Sequence, residues 1–219
     1  MKEFGINEVK IKWLKHASVL IEHQEKAIYI DPYELEYEKK AFAIFITHEH
    51  FDHCDPPTIQ KIATENTYII APKDCLEKIE NYKKIEVHPN ESKEINGIKF
   101  ETVPAYNIKR FRAPGVPYHP KENNWVGYVL EINGVRIYHT GDTDFVPEME
   151  NLKVDVALVP IGGTFTMDVN DAIEFAKKVK PKYLIPIHYN TWPNIIANPK
   201  ELLNKVENVE VIILERILE

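Results

Sequence analysis

The sequence predicts an α/β protein built as a four-layer αββα sandwich. Three observations carry that expectation. Short β-rich runs crowd both halves of the chain. Helical periodicity alternates with fully apolar runs, and two Asn-Gly pairs sit between alternating segments as hairpin signals. Each half holds several strands plus helices. Two such halves stacked sheet to sheet, with helices outside, give the four layers.

The elements follow in order. VKIKWL (9–14) and SVLIEH (18–23) are β-rich, and KAIYI (26–30) follows a polar break. AFAIFI (41–46) is a continuous apolar run, as a buried strand requires. PPTIQKIATE (56–65) opens with prolines and carries Ile59, Ile62 and Ala63 at helical spacing. TYIIA (67–71) is strand-like and PKDCLEKIENY (72–82) helix-like. Asn96-Gly97 and Asn133-Gly134 mark two hairpins, the second joining 125–132 to 135–140. The rhythm then changes to buried strand (155–161), helix (168–180), strand (183–188), helix (201–207) and strand (209–214). Ala172, Ile173, Ala176 and Val179 form the apolar stripe of the first of these helices. The stretch 107–124 has three prolines and no clear period, and a long irregular connection of this kind is expected to border a site.

Composition sets the class. The 219 residues are 44% hydrophobic and 28% charged, as in globular chains. They are read as one domain, 1–219, burying roughly 70% of the surface the unfolded chain exposes. No run of 18 apolar residues is present, which argues against a membrane span. The first residues lack an apolar stretch of signal-peptide length, and Cys54 and Cys75 make no disulfide framework, so a cytoplasmic location is expected. A net charge of −7 argues against a general nucleic-acid partner. A small-molecule substrate is the expected partner, and a homo-oligomer stays open.

The strongest local signal is Thr47-His48-Glu49-His50-Phe51-Asp52-His53. Two histidines two apart at a strand end point to one side, and Asp52 and His53 follow at the turn into a helix. Crowded imidazoles and a carboxylate suit a divalent cation such as zinc, iron or manganese.

H-x-H-x-D-H after a buried strand resembles the metallo-β-lactamase superfamily of metal-dependent hydrolases. More closely, it resembles the branch that includes L-ascorbate-6-phosphate lactonase. Other segments extend the resemblance over nearly the whole chain: WLKHASVLIE (13–22), IDPY (30–33), YHTGDTD (138–144), PIGGTFTMD (160–168) and PIHYN (186–190). The resemblance implies a metallo-β-lactamase-like fold and two divalent metal ions (Zn, Mn or Fe). One ion would take His48, His50 and a third histidine; the other would take Asp52, His53 and His188. Asp142 would bridge them, with Asp52 and Asp142 as the catalytic carboxylates. The third histidine departs from the wider superfamily, because the matching place ends in Asn107. His119 is the candidate, with Asn107 as an alternative direct or water-mediated ligand.

Six further residues are expected near the metals or the substrate. Asp31 would orient a metal histidine or its loop. His16, Asn107 and Tyr189 would lie close by, and Arg110 and Arg112 would recognise an anionic substrate. The implied chemistry is hydrolysis by a bridging hydroxide acting on a lactone, ester or phosphodiester. A nuclease of the same superfamily and a non-catalytic metal-binding protein stay open as alternatives.

Overall fold

The computed structural model of the chain describes residues 1–36 and 39–217. It divides into two compact units: Met1–His88 with the stretch from Leu214, and Pro89–Ile213.

The first unit holds one seven-stranded sheet, with strands in chain order. These are β1 (Phe4–Ile6), β2 (Val9–Lys15), β3 (Ser18–His23), β4 (Lys26–Ile30), β5 (Ala43–Phe45), β6 (Tyr68–Ala71) and β7 (Lys83–Glu86). The first four strands pair antiparallel and the last four, from β4, pair parallel. β5 is apolar and buried along its length, because a parallel strand is covered on both faces. Helix α1 (Pro56–Ile62) begins where Asp55 accepts from the Thr58 hydroxyl and Pro56 and Pro57 open the first turn. Its Ile59 and Ile62 join Leu20, Tyr29, Ile44 and Ile69 in a core cluster, as does Cys75 from α2 (Lys73–Leu76). Full burial of each large apolar side chain contributes roughly 1.5–3 kcal/mol.

The second unit holds a second seven-stranded sheet. Its strands are β8 (Ser92–Ile95), β9 (Ile98–Pro104), β12 (Val126–Ile132), β13 (Val135–His139), β14 (Val156–Pro160), β15 (Tyr183–Ile187) and β16 (Glu210–Val211). β8 to β13 pair antiparallel in the order β8-β9-β12-β13, and β13 to β16 pair parallel. The pairing plan therefore repeats that of the first sheet, three antiparallel pairs followed by three parallel ones. A separate hairpin, β10 (Phe111–Ala113) and β11 (Val116–Pro117), stands apart from the large sheet. Both Asn-Gly hairpins form as expected, with positive φ at Asn96, Gly97, Asn133 and Gly134. Helix α3 (Val169–Val179) carries a capping box between Asp168 and Asp171.

Several expectations change. The segment 72–82 yields only the four residues of α2, and the helix expected over 201–207 is a 3-10 turn, Pro199–Leu202. Leu203 is extended and Asn204 left-handed, so the turn cannot continue. The stripe of α3 uses Phe175 in place of Ile173, which is only half-buried. β1 escapes the sequence reading because three residues carry no period. The irregular reading of 107–124 gives way to the β10–β11 hairpin and a 3-10 turn, Lys121–Asn123. No helix among the described residues is long and apolar enough to cross a membrane.

One glycine allows a close backbone approach before Asp142. A Cβ on Gly127 of β12 would lie 2.6 Å from the Thr140 carbonyl oxygen and 2.7 Å from that of His139. Both are backbone atoms just before Asp142, so the clash cannot be relieved by a rotamer change. Gly127→Ala is expected to destabilise the protein by about 1–3 kcal/mol. Thermal unfolding followed by circular dichroism checks this, and an unchanged Tm would contradict it.

Candidate metal centre

Each unit carries its own cluster of buried donors at the carboxyl ends of parallel strands, where open α/β sheets present ligand-binding groups. In the first unit the chain leaves β5 through Ile46, Thr47 and His48. Asp31, just after β4, is fully buried and organises this exit. Its Oδ1 accepts from the Thr47 amide at 2.8 Å, and its Oδ2 accepts from the Thr47 hydroxyl at 2.7 Å. The same Oδ2 lies 2.7 Å from His53 Nδ1. Because the Thr47 hydroxyl donates its hydrogen to Asp31, it accepts from His48 Nδ1 at 2.9 Å. Asp31 therefore fixes two imidazoles in the Nδ1–H tautomer, one directly and one through Thr47. Each then offers Nε2 as a donor atom, the arrangement in which histidine binds metal. Both oxygens of Asp31 are therefore engaged by Thr47 and His53.

The rest of the cluster surrounds these rings. His48 Nε2 lies 3.1 Å from His50 Nδ1. Asp52 Oδ2 lies 2.9 Å from His16 Nε2 and 3.4 Å from His53 Nε2. His16 sits in the turn between β2 and β3 with φ +54°, and it is fully buried against Asp52. A left-handed φ at a non-glycine residue in this position is a backbone cost, held in place by the surrounding contacts. The sequence placed His16 near the centre without a partner; the structure gives it Asp52.

In the second unit Asp142 follows β13 and His188 follows β15. Asp142 Oδ2 lies 3.1 Å from His188 Nε2 and 3.5 Å from His119 Nε2. One carboxylate oxygen thus faces two imidazole nitrogens. Asn107 and His119 are joined by backbone and side chain. The Asn107 amide donates to the His119 carbonyl at 2.8 Å, and Asn107 Oδ1 accepts from the His119 amide and from Nδ1, each at 2.8 Å. Asn107 Nδ2 donates to the Phe165 carbonyl at 2.9 Å. The side chain of Asn107 is therefore turned onto His119, and its Oδ1 fixes the tautomer of that ring. Tyr189, beside His188, is buried.

Carboxylates hold the first part of the 107–118 segment. Asp144, fully buried, accepts from the amides of Ile108 at 2.7 Å, Lys109 at 2.6 Å and Arg110 at 3.3 Å, all on Oδ2. Its Oδ1 accepts from the Arg110 guanidinium at 2.9 Å, and that guanidinium also pairs with Asp168 at 3.0 Å and with Asp171. Arg110 is therefore paired with three carboxylates that anchor the segment. Arg112 is exposed and forms no ion pair among the described residues. Asp144 and Thr47 are the two organising residues the sequence reading missed. Their signal was adjacency, Asp144 two residues after Asp142 and Thr47 immediately before His48.

The chain is similar to known proteins over nearly its whole length. Residues 10–188 match the profile of the beta-lactamase superfamily domain. A UPF0173 metal-dependent hydrolase of Nanoarchaeum equitans is 37% identical over 215 residues, spanning 95% of this chain and 97% of the relative. Another from Pyrococcus horikoshii is 36% identical over 226 residues, spanning 94% and 96%. A solved structure from Parabacteroides distasonis, provisionally assigned as a metal-dependent hydrolase, superposes with a TM-score of 0.85 at 33% identity and covers 98% of this chain and 97% of its own. The expected metallo-β-lactamase-like fold is thereby established.

Two outcomes test the local geometry. Asp31→Asn should weaken metal affinity by about 10–100-fold, read by competition with a chromophoric chelator; unchanged affinity would contradict the orienting role. Burial pushes the Asp171 carboxyl up, but Lys109 and Arg110 outweigh it and hold it below its ordinary value. A carboxyl depressed in the folded state contributes stability above its unfolded value near 3.8, and that stability is lost as pH falls through the lower folded value. Asp171→Asn should therefore cost about 1–3 kcal/mol at neutral pH. Denaturant titrations across pH should show wild type and variant converging in acid, and a pH-independent difference would contradict the ion-pair account.

Proposed function

The chain belongs to the β-lactamase superfamily of metal-dependent hydrolases, and from that premise we propose that it is a binuclear hydrolase of a small, anionic substrate. The observation that carries this reading is the Asp142 carboxylate, whose Oδ2 faces both His119 Nε2 and His188 Nε2. A carboxylate oxygen held between two imidazole nitrogens is the arrangement a shared ligand needs. The donor chemistry fits divalent metal. Asp52, Asp142 and the imidazoles of His48, His53, His119 and His188 are all buried. Buried carboxylates and imidazoles in this density are costly unless they are paired or bind a cation.

In this reading His48, His50 and His119 hold one ion, Asp52, His53 and His188 hold the other, and Asp142 is common to both. Zinc, manganese and iron all suit imidazole and carboxylate ligands. Such a pair supplies a water acidified to near neutrality and polarises a carbonyl or phosphoryl oxygen. The chain's residues do the positioning. Asp31 and Thr47 fix the tautomers of His53 and His48, and Asn107 fixes that of His119. His16 restrains the free rotation of Asp52. Asp142 would orient the attacking water. The bond cleaved is a lactone, an ester or a phosphodiester. A reducing cytoplasm suits the two buried free thiols, Cys54 and Cys75.

Asp142→Ala tests the reading. Turnover of a lactone, ester or phosphodiester panel should fall by at least about 10³-fold, of the size seen when a group that stabilises developing charge is removed. The circular dichroism spectrum should keep its wild-type form. Full activity in the folded variant would refute the assignment.

A further inference from the structure

His139 is a fully buried histidine outside the proposed donor set. It is the last residue of β13, three positions before Asp142. The turn that follows it, through Asp144, is buried throughout. Buried backbone donors need partners, so the destination of each amide shows what holds the turn. The Thr140 amide donates to the Leu158 carbonyl at 3.2 Å, and the Asp144 amide donates to the Tyr106 carbonyl at 3.0 Å. The Thr143 hydroxyl accepts from the Tyr106 amide at 3.1 Å. The Gly141 amide goes instead to a side chain: it donates to His139 Nδ1 at 3.2 Å. Gly141 has φ +66°, the left-handed conformation that glycine adopts without strain.

That bond fixes the state of the ring. An N–H can donate only to a ring nitrogen that keeps its lone pair, so the His139 ring hydrogen sits on Nε2. This is the opposite tautomer to that of His48 and His53, whose Nδ1 atoms donate. We propose that His139 is a positioning residue for Asp142: its Nδ1 lone pair holds the Gly141 amide and so sets the direction in which the next carboxylate leaves the strand. The inference rests on the reading of Asp142 as a shared metal ligand. Asp142 Oδ2 stands 3.1 Å from His188 Nε2 and 3.5 Å from His119 Nε2. A site of this kind tolerates displacements of only about 0.5 Å. Without the Nδ1 acceptor the Gly141 amide would be buried and unpaired, a state the chain relieves by moving the turn. β12 approaches the same turn closely at Gly127, so the turn is held from two sides.

Three variants and one spectrum test this. Zinc affinity is read on refilled protein by competition with a chromophoric chelator. His139→Leu, which keeps an apolar body and removes the acceptor, should weaken zinc binding at least about tenfold. His139→Asn carries Oδ1 at the same remove from Cβ as Nδ1 and should retain the wild-type affinity. Ile132→Ala truncates a buried side chain at the far end of the β12–β13 hairpin. It should lower Tm and leave zinc affinity unchanged. Wild-type affinity in His139→Leu, or equal losses in His139→Leu and His139→Asn, would overturn the proposal. A loss in Ile132→Ala as large as that in His139→Leu would make the effect one of stability and also overturn it. Nitrogen-15 NMR of histidine-labelled apo-protein needs no variant to fold. His139 should show an unprotonated Nδ1 and a protonated Nε2, and the reverse tautomer would overturn the proposal. Wild type that takes up fewer than about two zinc ions counts against the shared-ligand reading. Full uptake with unaltered affinity in His139→Leu counts against His139 alone.

Discussion

A neutral imidazole presents one lone pair, and its direction depends on what the other ring nitrogen donates to. This structure depends on that constraint. Asp31 accepts from His53 Nδ1 and, through the Thr47 hydroxyl, governs His48. Asn107 does the same for His119 with an amide oxygen. The use of an amide at one position and a carboxylate at the other has a chemical consequence. A carboxylate carries a full negative charge and an amide does not, so these imidazoles are held by chemically different partners.

The repeated sheet plan explains how such residues come to lie where they do. In each unit three antiparallel pairs give way to three parallel ones. Asp31 follows β4 and Asp142 follows β13, the corresponding strands where the pairing changes sense. One aspartate has become an orienting residue and the other faces two imidazoles. Left-handed backbone at Asp31, with φ +48°, and at His188, with φ +54°, turns each chain sharply out of its strand. These are departures from ordinary backbone preference of the kind that concentrates at functional sites.

Much of this was legible in the sequence. Buried parallel strands announce themselves as unbroken apolar runs, so β5 and β14 were readable, and Asn-Gly pairs fixed both hairpins. The His-x-His-x-Asp-His run, Asp142 and His188 were readable as candidates because imidazoles and carboxylates at strand ends suit metal chemistry. What stayed hidden was tertiary. The pairing of His16 with Asp52 joins residues that no local pattern links. The pairing of Arg110 with Asp144, Asp168 and Asp171 likewise joins residues far apart in the chain. Short elements such as β10 and β11 carry too few residues to show a period. The helix expected over 201–207 failed for a different reason. Its apolar spacing was present, but a left-handed Asn204 stops the chain.

The central claim is that the donor set holds two divalent ions per chain. Elemental analysis of the purified protein, before and after refilling with zinc or manganese, tests it most directly. The account predicts about two metal ions per chain after refilling. One ion or none after refilling would contradict it, and the reading of Asp142 as a shared ligand would fall with it.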